Sequence, residues 1–367
     1  MLENLGFFQE IKSAFYDELV NASHGQKTNL LYAKNPISEQ SLAESGTPFQ
    51  VIVVGGTNFI SATVVRKNGR LEILKTTKDV TPILDSKETL VNLIIKHLEP
   101  ETRVLALNFA FPMNVVTRGN ILDGELINGT KEHGLSDLVG KTIGLEIEKE
   151  IFLKLNQTVS VAVCNDTVSL GLAGLDNLES HGHKNEVVAV GIVGTGYNFG
   201  FFDSSKSFIN LESGNLSNFK ASSTLSEVDK NSSNPTRNLF EKEVAGAYLW
   251  QHFNLLSAQN GLNKTVSDSV KLSDLALSDK SQPGNIAREL FVKAAGMVAA
   301  QIAALADFMI ESDPNQKLNL FIEGSVFWKG FEFEKNVKLA LKELTDKEIE
   351  IREIQDSAIL GTARLVG

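Results

Sequence analysis

Val51-Ile-Val-Val-Gly-Gly-Thr-Asn58 and, in the second half of the chain, Val187-Val-Ala-Val-Gly-Ile-Val-Gly-Thr-Gly196 share one pattern. Each is an apolar, β-type run that breaks at glycines, carries a threonine and resumes as a second apolar run (Ser61-Ala-Thr-Val-Val65; Phe199-Gly-Phe-Phe202). A third run follows in both places (Leu71-Glu-Ile-Leu74; Phe208-Ile-Asn-Leu211). A buried strand ending in a Gly-rich turn presents uncrowded backbone N–H groups, which is what a row of phosphate oxygens needs. Hairpins also use such glycines simply to reach positive φ, so one copy decides nothing. The duplication, with matching strands behind each turn, points to two jaws around one nucleotide.

The elements around the turns read as two similar layers. Phe8 to about Val20 has apolar residues at helical spacing and is expected to pack on a domain from outside; Gly25–Gly46 is polar and Ser-rich, a connector. After the first strand cluster, Glu88–Leu98 has a continuous apolar face and stops before Pro100, and Val104–Phe111 is a strand stopped by Pro112, giving βββαβ. A helix is expected after Asn165-Asp166-Thr167, then a loop around His181-Gly-His183. That His-x-His has Gly, Lys and Asn beside it and no third ligand nearby, so it reads as solvated loop, and no metal ligands are assigned. Ser217–Arg237 reads as a surface loop and Phe240–Trp250 as helix. Ala287–Met309, apolar around most of its circumference, reads as a buried helix, and Leu318–Ile322 as a strand ending at Glu323-Gly324-Ser325.

With 367 residues, 42% of them hydrophobic, the chain has material for two domains. A formal net charge of −10 and the lack of a basic stripe argue against a nucleic-acid partner. The start lacks a cationic segment leading into an apolar one, no later stretch is expected to span a membrane, and the single Cys164 allows no intrachain disulfide framework, so a cytoplasmic protein is expected.

Several side chains are placed for chemistry. Asp166 follows the apolar run Val159–Cys164, so it stands at a strand's C-terminal end, where sites of open α/β sheets collect. There it can accept a proton from a substrate hydroxyl, or merely cap the helix behind it. Glu212 and Glu241 lie beside apolar or small residues at element boundaries. Carboxylates held in such places suit a polyol, since each accepts directed hydroxyl hydrogen bonds, although either can be a plain surface charge. Thr130-Lys131 follows Gly129 in a polar turn, where Lys131 can reach a phosphoryl oxygen or be solvated.

Taken in order along nearly the whole chain, these motifs resemble the hexokinase and glucokinase family. Gly55-Gly-Thr-Asn-Phe59 is similar to its first phosphate motif, Phe109-Ala-Phe-Pro112 to its sugar-loop strand end, and Thr130-Lys131 to its sugar loop. Asn165-Asp-Thr-Val168 is similar to the catalytic motif and Gly194-Thr-Gly-Tyr-Asn198 to the second phosphate motif. Asn210-Leu-Glu-Ser-Gly214 and Phe240-Glu-Lys242 with Gly246-Ala-Tyr-Leu249 resemble the glutamate motifs, and Glu323-Gly-Ser-Val326 the adenosine motif.

The resemblance implies an α/β protein of two actin-like (ribonuclease H-like) domains, each a mixed βββαβ sheet with helices, around a cleft. The expected division is 1–48 as helix and connector packed on the large domain, 49–164 as the small domain, which 355–367 is free to rejoin, and 165–354 as the large domain. It implies ATP with Mg²⁺ and a hexose as ligands, and phosphorylation of the 6-hydroxyl. Asp166 is then the base, and Lys131 binds sugar and stabilises the transferring phosphoryl group. Phe111, Thr130, Asn165, Asn198, Glu212 and Glu241 join the sugar site; Gly55, Gly56, Thr57, Asn58, Gly194, Thr195, Gly196, Gly324 and Ser325 face the nucleotide.

Three departures stand out. Val53 occupies the place of the family's metal-associated aspartate; Ile60 and Ala110 replace an arginine and a serine; and Asp356–Gly361 lacks the usual Gly-rich character. A catalytically weak sugar sensor and a kinase for another sugar are therefore the alternative readings.

Overall fold

The computed structural model describes residues 4–55, 58–128, 134–182, 186–310 and 316–367. In chain order, α1 (Leu5–Ser23) and a short β1 (Ala33–Asn35) precede the meander β2 (Phe49–Val54), β3 (Asn58–Lys67) and β4 (Arg70–Val80). Next come α2 (Lys87–His97), β5 (Val104–Phe109), the hairpin β6 (Met113–Arg118) and β7 (Ile121–Leu126), α3 (Ile143–Leu155), β8 (Ser160–Cys164) and α4 (Asp166–Ser180). The second meander is β9 (Val187–Val193), β10 (Tyr197–Phe202) and β11 (Phe208–Asn210). It is followed by α5 (Leu225–Lys230), α6 (Leu239–Val244), α7 (Gly246–Gln259), α8 (Ser269–Ser278) and α9 (Gln282–Met309). The chain closes with β12 (Leu318–Glu323), α10 (Ser325–Lys329), α11 (Phe333–Leu344), β13 (Ile349–Arg352) and α12 (Ser357–Ala363).

Both meanders build the same sheet. The first has the order β4-β3-β2-β5-β8, the second β1-β11-β10-β9-β12-β13; setting β1 aside, each runs third, second, first, fourth, fifth strand. In the first sheet β2 is antiparallel to β3 and parallel to β5, and β5 is parallel to β8. A parallel neighbour needs a crossover long enough to carry a helix, and α2 and α3 supply those crossovers. The βββαβ reading of both halves describes what is found.

The chain divides into two compact units. One, the Gly55 unit, comprises Ala33–Asn185, Phe201–Asn210 and Ile354–Gly367; the other, the Gly194 unit, comprises Met1–Tyr32, Glu186–Gly200 and Leu211–Glu353. The division after Cys164 expected from sequence falls instead after Asn185, because α4 packs against α12 and β5 and so stays with the first sheet. The connector also goes with the Gly55 unit rather than with α1: β1 pairs antiparallel with β11, and the Leu42 and Ala43 amides both donate to Val366 O.

In the Gly55 unit strand alternation separates two faces. Ile52, Val54, Leu105, Leu107, Phe109, Val161 and Val163 join Leu90 and Ile94 of α2 and Ile143, Ile147 and Ile151 of α3 in one core. The intervening positions face the side on which α12 and α4 lie. There α12 crosses α4 almost backbone on backbone: a Cβ at Gly361 would overlap the carbonyl of Ser169. Ser169 Oγ and Thr362 Oγ1 meet at 2.9 Å beside that crossing.

In the Gly194 unit α1 buries Phe8, Ile11, Phe15 and Leu19 against α9. The helix α9 corrects one expectation from sequence, since it is long and apolar enough to cross a membrane; 78% of its most apolar window is nevertheless buried inside the protein, beneath α1, α8 and α11. The supposed loop Ser217–Arg237 contains α5, whose Leu225 and Val228, three residues apart on one face, are both buried. The helix expected over Phe240–Trp250 breaks at Ala245, which is extended (φ −84°, ψ 150°), leaving α6 and α7 as separate pieces.

Gly361→Ala should cost about 1–3 kcal/mol, because backbone on both sides of the crossing must shift. A melting temperature within a degree of wild type would mean that α12 has room to move.

Candidate functional site

Three motifs of the Gly194 unit converge on the turn between β9 and β10. The amide of Gly194 donates to Gly196 O at 3.0 Å, closing the turn. The first residues of α7 dock on it from one side, with Gly246 N donating to Gly194 O at 2.8 Å and Ala247 N to Thr195 O at 3.2 Å. Gly324, between β12 and α10, closes from the other. It has φ +122°, and any Cβ there would run into the Val193 carbonyl, so only glycine fits. Thr195 and Ser325 remain exposed. The Gly194 amide is thus satisfied within the turn, as is that of Gly55, which donates to Asn58 O at 2.9 Å. Neither is one of the open phosphate donors that the sequence suggests.

Immediately after this turn the polar residues gather around Glu241. Tyr197 N donates to Glu241 Oε2 at 3.0 Å, and a Cβ on Gly196 or Gly214 would touch the Glu241 side chain. Asn198 Oδ1 accepts from Ser213 N at 3.1 Å, which ties β10 to the segment after Glu212. Glu212 itself is left-handed (φ 49°, ψ 50°), a conformation that costs a non-glycine residue about 1–3 kcal/mol and concentrates at functional positions. Desolvation, reinforced by the nearby Glu212 charge, pushes the Glu241 carboxyl up to about 7, against the Tyr197 amide and Lys242, which pull it down.

The helix that carries Glu241 is pinned from beneath. Lys242 is fully buried and donates to Asp229 Oδ1 at 2.5 Å, to Asn234 O at 2.9 Å and to Arg237 O at 2.8 Å. Glu243 accepts from Ser222 N at 2.6 Å and from Lys293 Nζ at 3.1 Å. His252, its pKa lowered by desolvation, is neutral; its Nε2 donates to Lys242 O at 2.8 Å, and its Nδ1 accepts from Thr224 Oγ1 at 2.7 Å. Two residues outside the sequence reading complete the support: Tyr197 donates its hydroxyl to Gln301 Oε1 at 3.0 Å, and Gln301 Nε2 lies 3.4 Å from Ser213 O. The signal for Gln301 was present, a lone amide in the run Ala299-Ala-Gln-Ile-Ala-Ala304.

The Gly55 unit holds the second group. Here Asn165 is the N-cap of α4, accepting from Val168 N at 2.9 Å, so the capping role weighed for Asp166 belongs to its neighbour. Asp166 begins the helix, exposed, with Oδ1 accepting from the Thr167 amide at 2.8 Å and the Thr167 hydroxyl at 3.3 Å. Desolvation holds its carboxyl above the ordinary aspartate range despite those bonds. Asn58 is exposed. Phe111, expected at the sugar, is instead buried in the core, its ring stacked on Phe109 at 4.2 Å. Gly56, Thr57, Thr130 and Lys131 lie outside the described residues, as does His183.

Comparison with known proteins gives this arrangement the fold of solved hexokinases. The family described as Hexokinase matches residues 253–367. Hexokinase-1 of Spinacia oleracea is 32% identical over 170 residues, covering 42% of this chain and 32% of that protein. Hexokinase-7 of Oryza sativa subsp. japonica is 24% identical over 323 residues, covering 71% and 67%. The matched part therefore spans only about a third of the spinach relative's length. In fold, the chain is similar to the hexokinase from Schistosoma mansoni complexed with glucose (TM-score 0.75, 18% identity, 99% of this chain and 95% of that one). It is also similar to a ROK family glucokinase from Streptomyces griseus in complex with glucose and AMPPNP (TM-score 0.56, 15% identity, 87% and 99%). Motifs, relatives and fold all point to the hexokinase family, whose model residues 253–367 match directly.

The raised Glu241 carboxyl has a consequence for stability. Its proton is held more tightly in the folded chain than in the unfolded one, so its contribution is fully present below the ordinary glutamate range and is lost as pH rises through about 7. Glu241→Gln should therefore flatten the fall in melting temperature between pH 5 and pH 8 and melt higher than wild type at pH 8. Parallel pH profiles for the two proteins would show that the carboxyl titrates normally.

Proposed function

We propose that this chain is an ATP-dependent sugar kinase that transfers the γ-phosphoryl group to the 6-hydroxyl of a hexose, glucose foremost, releasing ADP and hexose 6-phosphate. The observation that carries the reading is the division of labour at the start of α4. Asn165 caps the helix, which leaves the exposed Asp166 carboxylate at the end of β8 for a ligand. Asp166 takes the proton of the 6-hydroxyl as that oxygen attacks. Family resemblance alone assigns Glu212, Glu241, Asn198, Thr130 and Lys131 to the sugar.

Phosphoryl transfer asks a protein mainly for alignment and charge stabilisation. In the Gly194 unit, phosphate oxygens meet the turn at Thr195 and Gly196 rather than at the amide of Gly194, which is already bonded. Magnesium, which the family implies, finds no carboxylate at Val53, and among the described residues no three His, Cys, Asp or Glu side chains gather around a metal. Nucleotide phosphates and water would carry most of its coordination, and its contribution is to neutralise charge on the transferring group. A cytoplasmic location belongs to the same proposal. Val53 favours one second reading, a sugar-binding sensor with weak catalysis; a coupled assay of nucleotide turnover across a panel of hexoses separates it from a kinase.

Asp166→Asn should keep hexose affinity within a few-fold and lower kcat by roughly 10²-fold or more; near-wild-type kcat removes it as the base. Replacing Glu212 or Glu241 by Ala should weaken hexose binding by about 1.5–3 kcal/mol with nucleotide affinity unchanged. Calorimetry that finds hexose affinity intact in both variants takes them out of the site.

A further inference from the structure

Asn108 is the polar exception in an apolar strand. Leu105, Leu107 and Phe109 of β5 point into the core, while Ala106 and Asn108 face the other side of the sheet. Asn108 is 2% exposed, and its Oδ1 has no hydrogen-bond donor among the described residues. An acceptor buried without a partner costs about 1–3 kcal/mol, so such a group calls for a donor from outside the chain.

Its register neighbours are Val53 on β2 and Cys164 on β8. Val53 has nothing to donate, and the Cys164 thiol makes no hydrogen bond to the Asn108 oxygen. The three strands are parallel and Asn108 is next to last in its own, so the oxygen lies near the C-terminal edge where α/β sheets bind ligands. Val53 is two residues before Gly55, and Cys164 two before Asp166. A buried acceptor near the C-terminal end of parallel strands, between the apolar Val53 and Cys164, suits a hydration water of a divalent cation, because Mg²⁺ keeps several of its waters when bound to phosphates.

We infer that Asn108 Oδ1 accepts a hydrogen bond from the hydration shell of the cation that accompanies the nucleotide, the acceptor role that Val53 cannot fill. The inference rests on the kinase reading. A neutral amide performs this without burying a net charge beside Val53.

Calorimetry of ADP binding to the full chain, with and without Mg²⁺, tests it on wild type, Asn108→Val and Asn108→Asp. Asn108→Val should leave metal-free ADP affinity within about twofold and reduce the Mg²⁺-dependent gain by roughly five- to tenfold. Its melting temperature should not fall, since an unsatisfied polar group has gone. Asn108→Asp should enlarge the Mg²⁺-dependent gain, which keeps the test decisive if the valine variant does not fold. An unchanged gain in either folded variant, or an equal loss with and without metal, overturns the inference, as does wild type that binds ADP with no Mg²⁺-dependent gain. Wild type that binds no ADP under either condition overturns the kinase reading itself and the inference with it.

Discussion

The Gly194 unit depends on a contact between backbones. Gly324 lies against Val193 and Gly194 so closely that no side chain can be accommodated, and Gly246 donates to the same turn from the start of α7. Three segments far apart in sequence are thereby fixed to one another through main-chain atoms, which have no rotamers to lose. Side chains that branch from these segments inherit that rigidity. Thr195, Ser325 and Glu241 are carried by elements tied to this backbone contact or next to it in sequence, the kind of support that a constellation meeting a small ligand needs.

The same duplicated sheet serves two electrostatic purposes. Beneath Glu241 the Gly194 unit buries a full set of charges, and each is matched: Lys242 with Asp229 and two carbonyls, Glu243 with Lys293 and an amide. Breaking one partner would leave a buried charge uncompensated, so such a network fixes geometry more than it adds net stability. The two carboxylates of the proposed site are treated differently: among the described residues Glu241 accepts from one amide with Glu212 as a like charge nearby, and Asp166 accepts from its neighbour Thr167. Desolvation raises both carboxyls.

Most of this was legible in the sequence wherever the signal was local. Apolar runs broken by glycines located both meanders, and strand-to-turn transitions placed Asp166, Glu212 and Glu241. What stayed hidden depends on contacts between distant residues. No periodicity reveals that α12 lies against α4, so the unit boundary expected after Cys164 falls after Asn185. Alternation along β5 foretold neither that Phe111, past the strand's end, turns back onto Phe109 nor that Asn108 Oδ1 finds no donor among the described residues. Composition alone cannot tell a helix wrapped by α1, α8 and α11 from one made for lipid, since both must be apolar all round.

The polar residues that interrupt apolar elements fall into two kinds. Gln301, in the long alanine-rich helix α9, has its partners in Tyr197 and Ser213, and its amide is spent on orienting the segments that carry Asn198 and Glu212. Asn108, in a strand equally apolar, has no partner for its oxygen among the described residues. Sequence gives the two the same appearance, a lone amide in an apolar run. The satisfied one holds other residues in place, while the unsatisfied one keeps a bond in reserve. An unsatisfied buried oxygen lowers stability, so its place near the C-terminal end of β5 is what motivates the inferred contact with a cation's hydration shell.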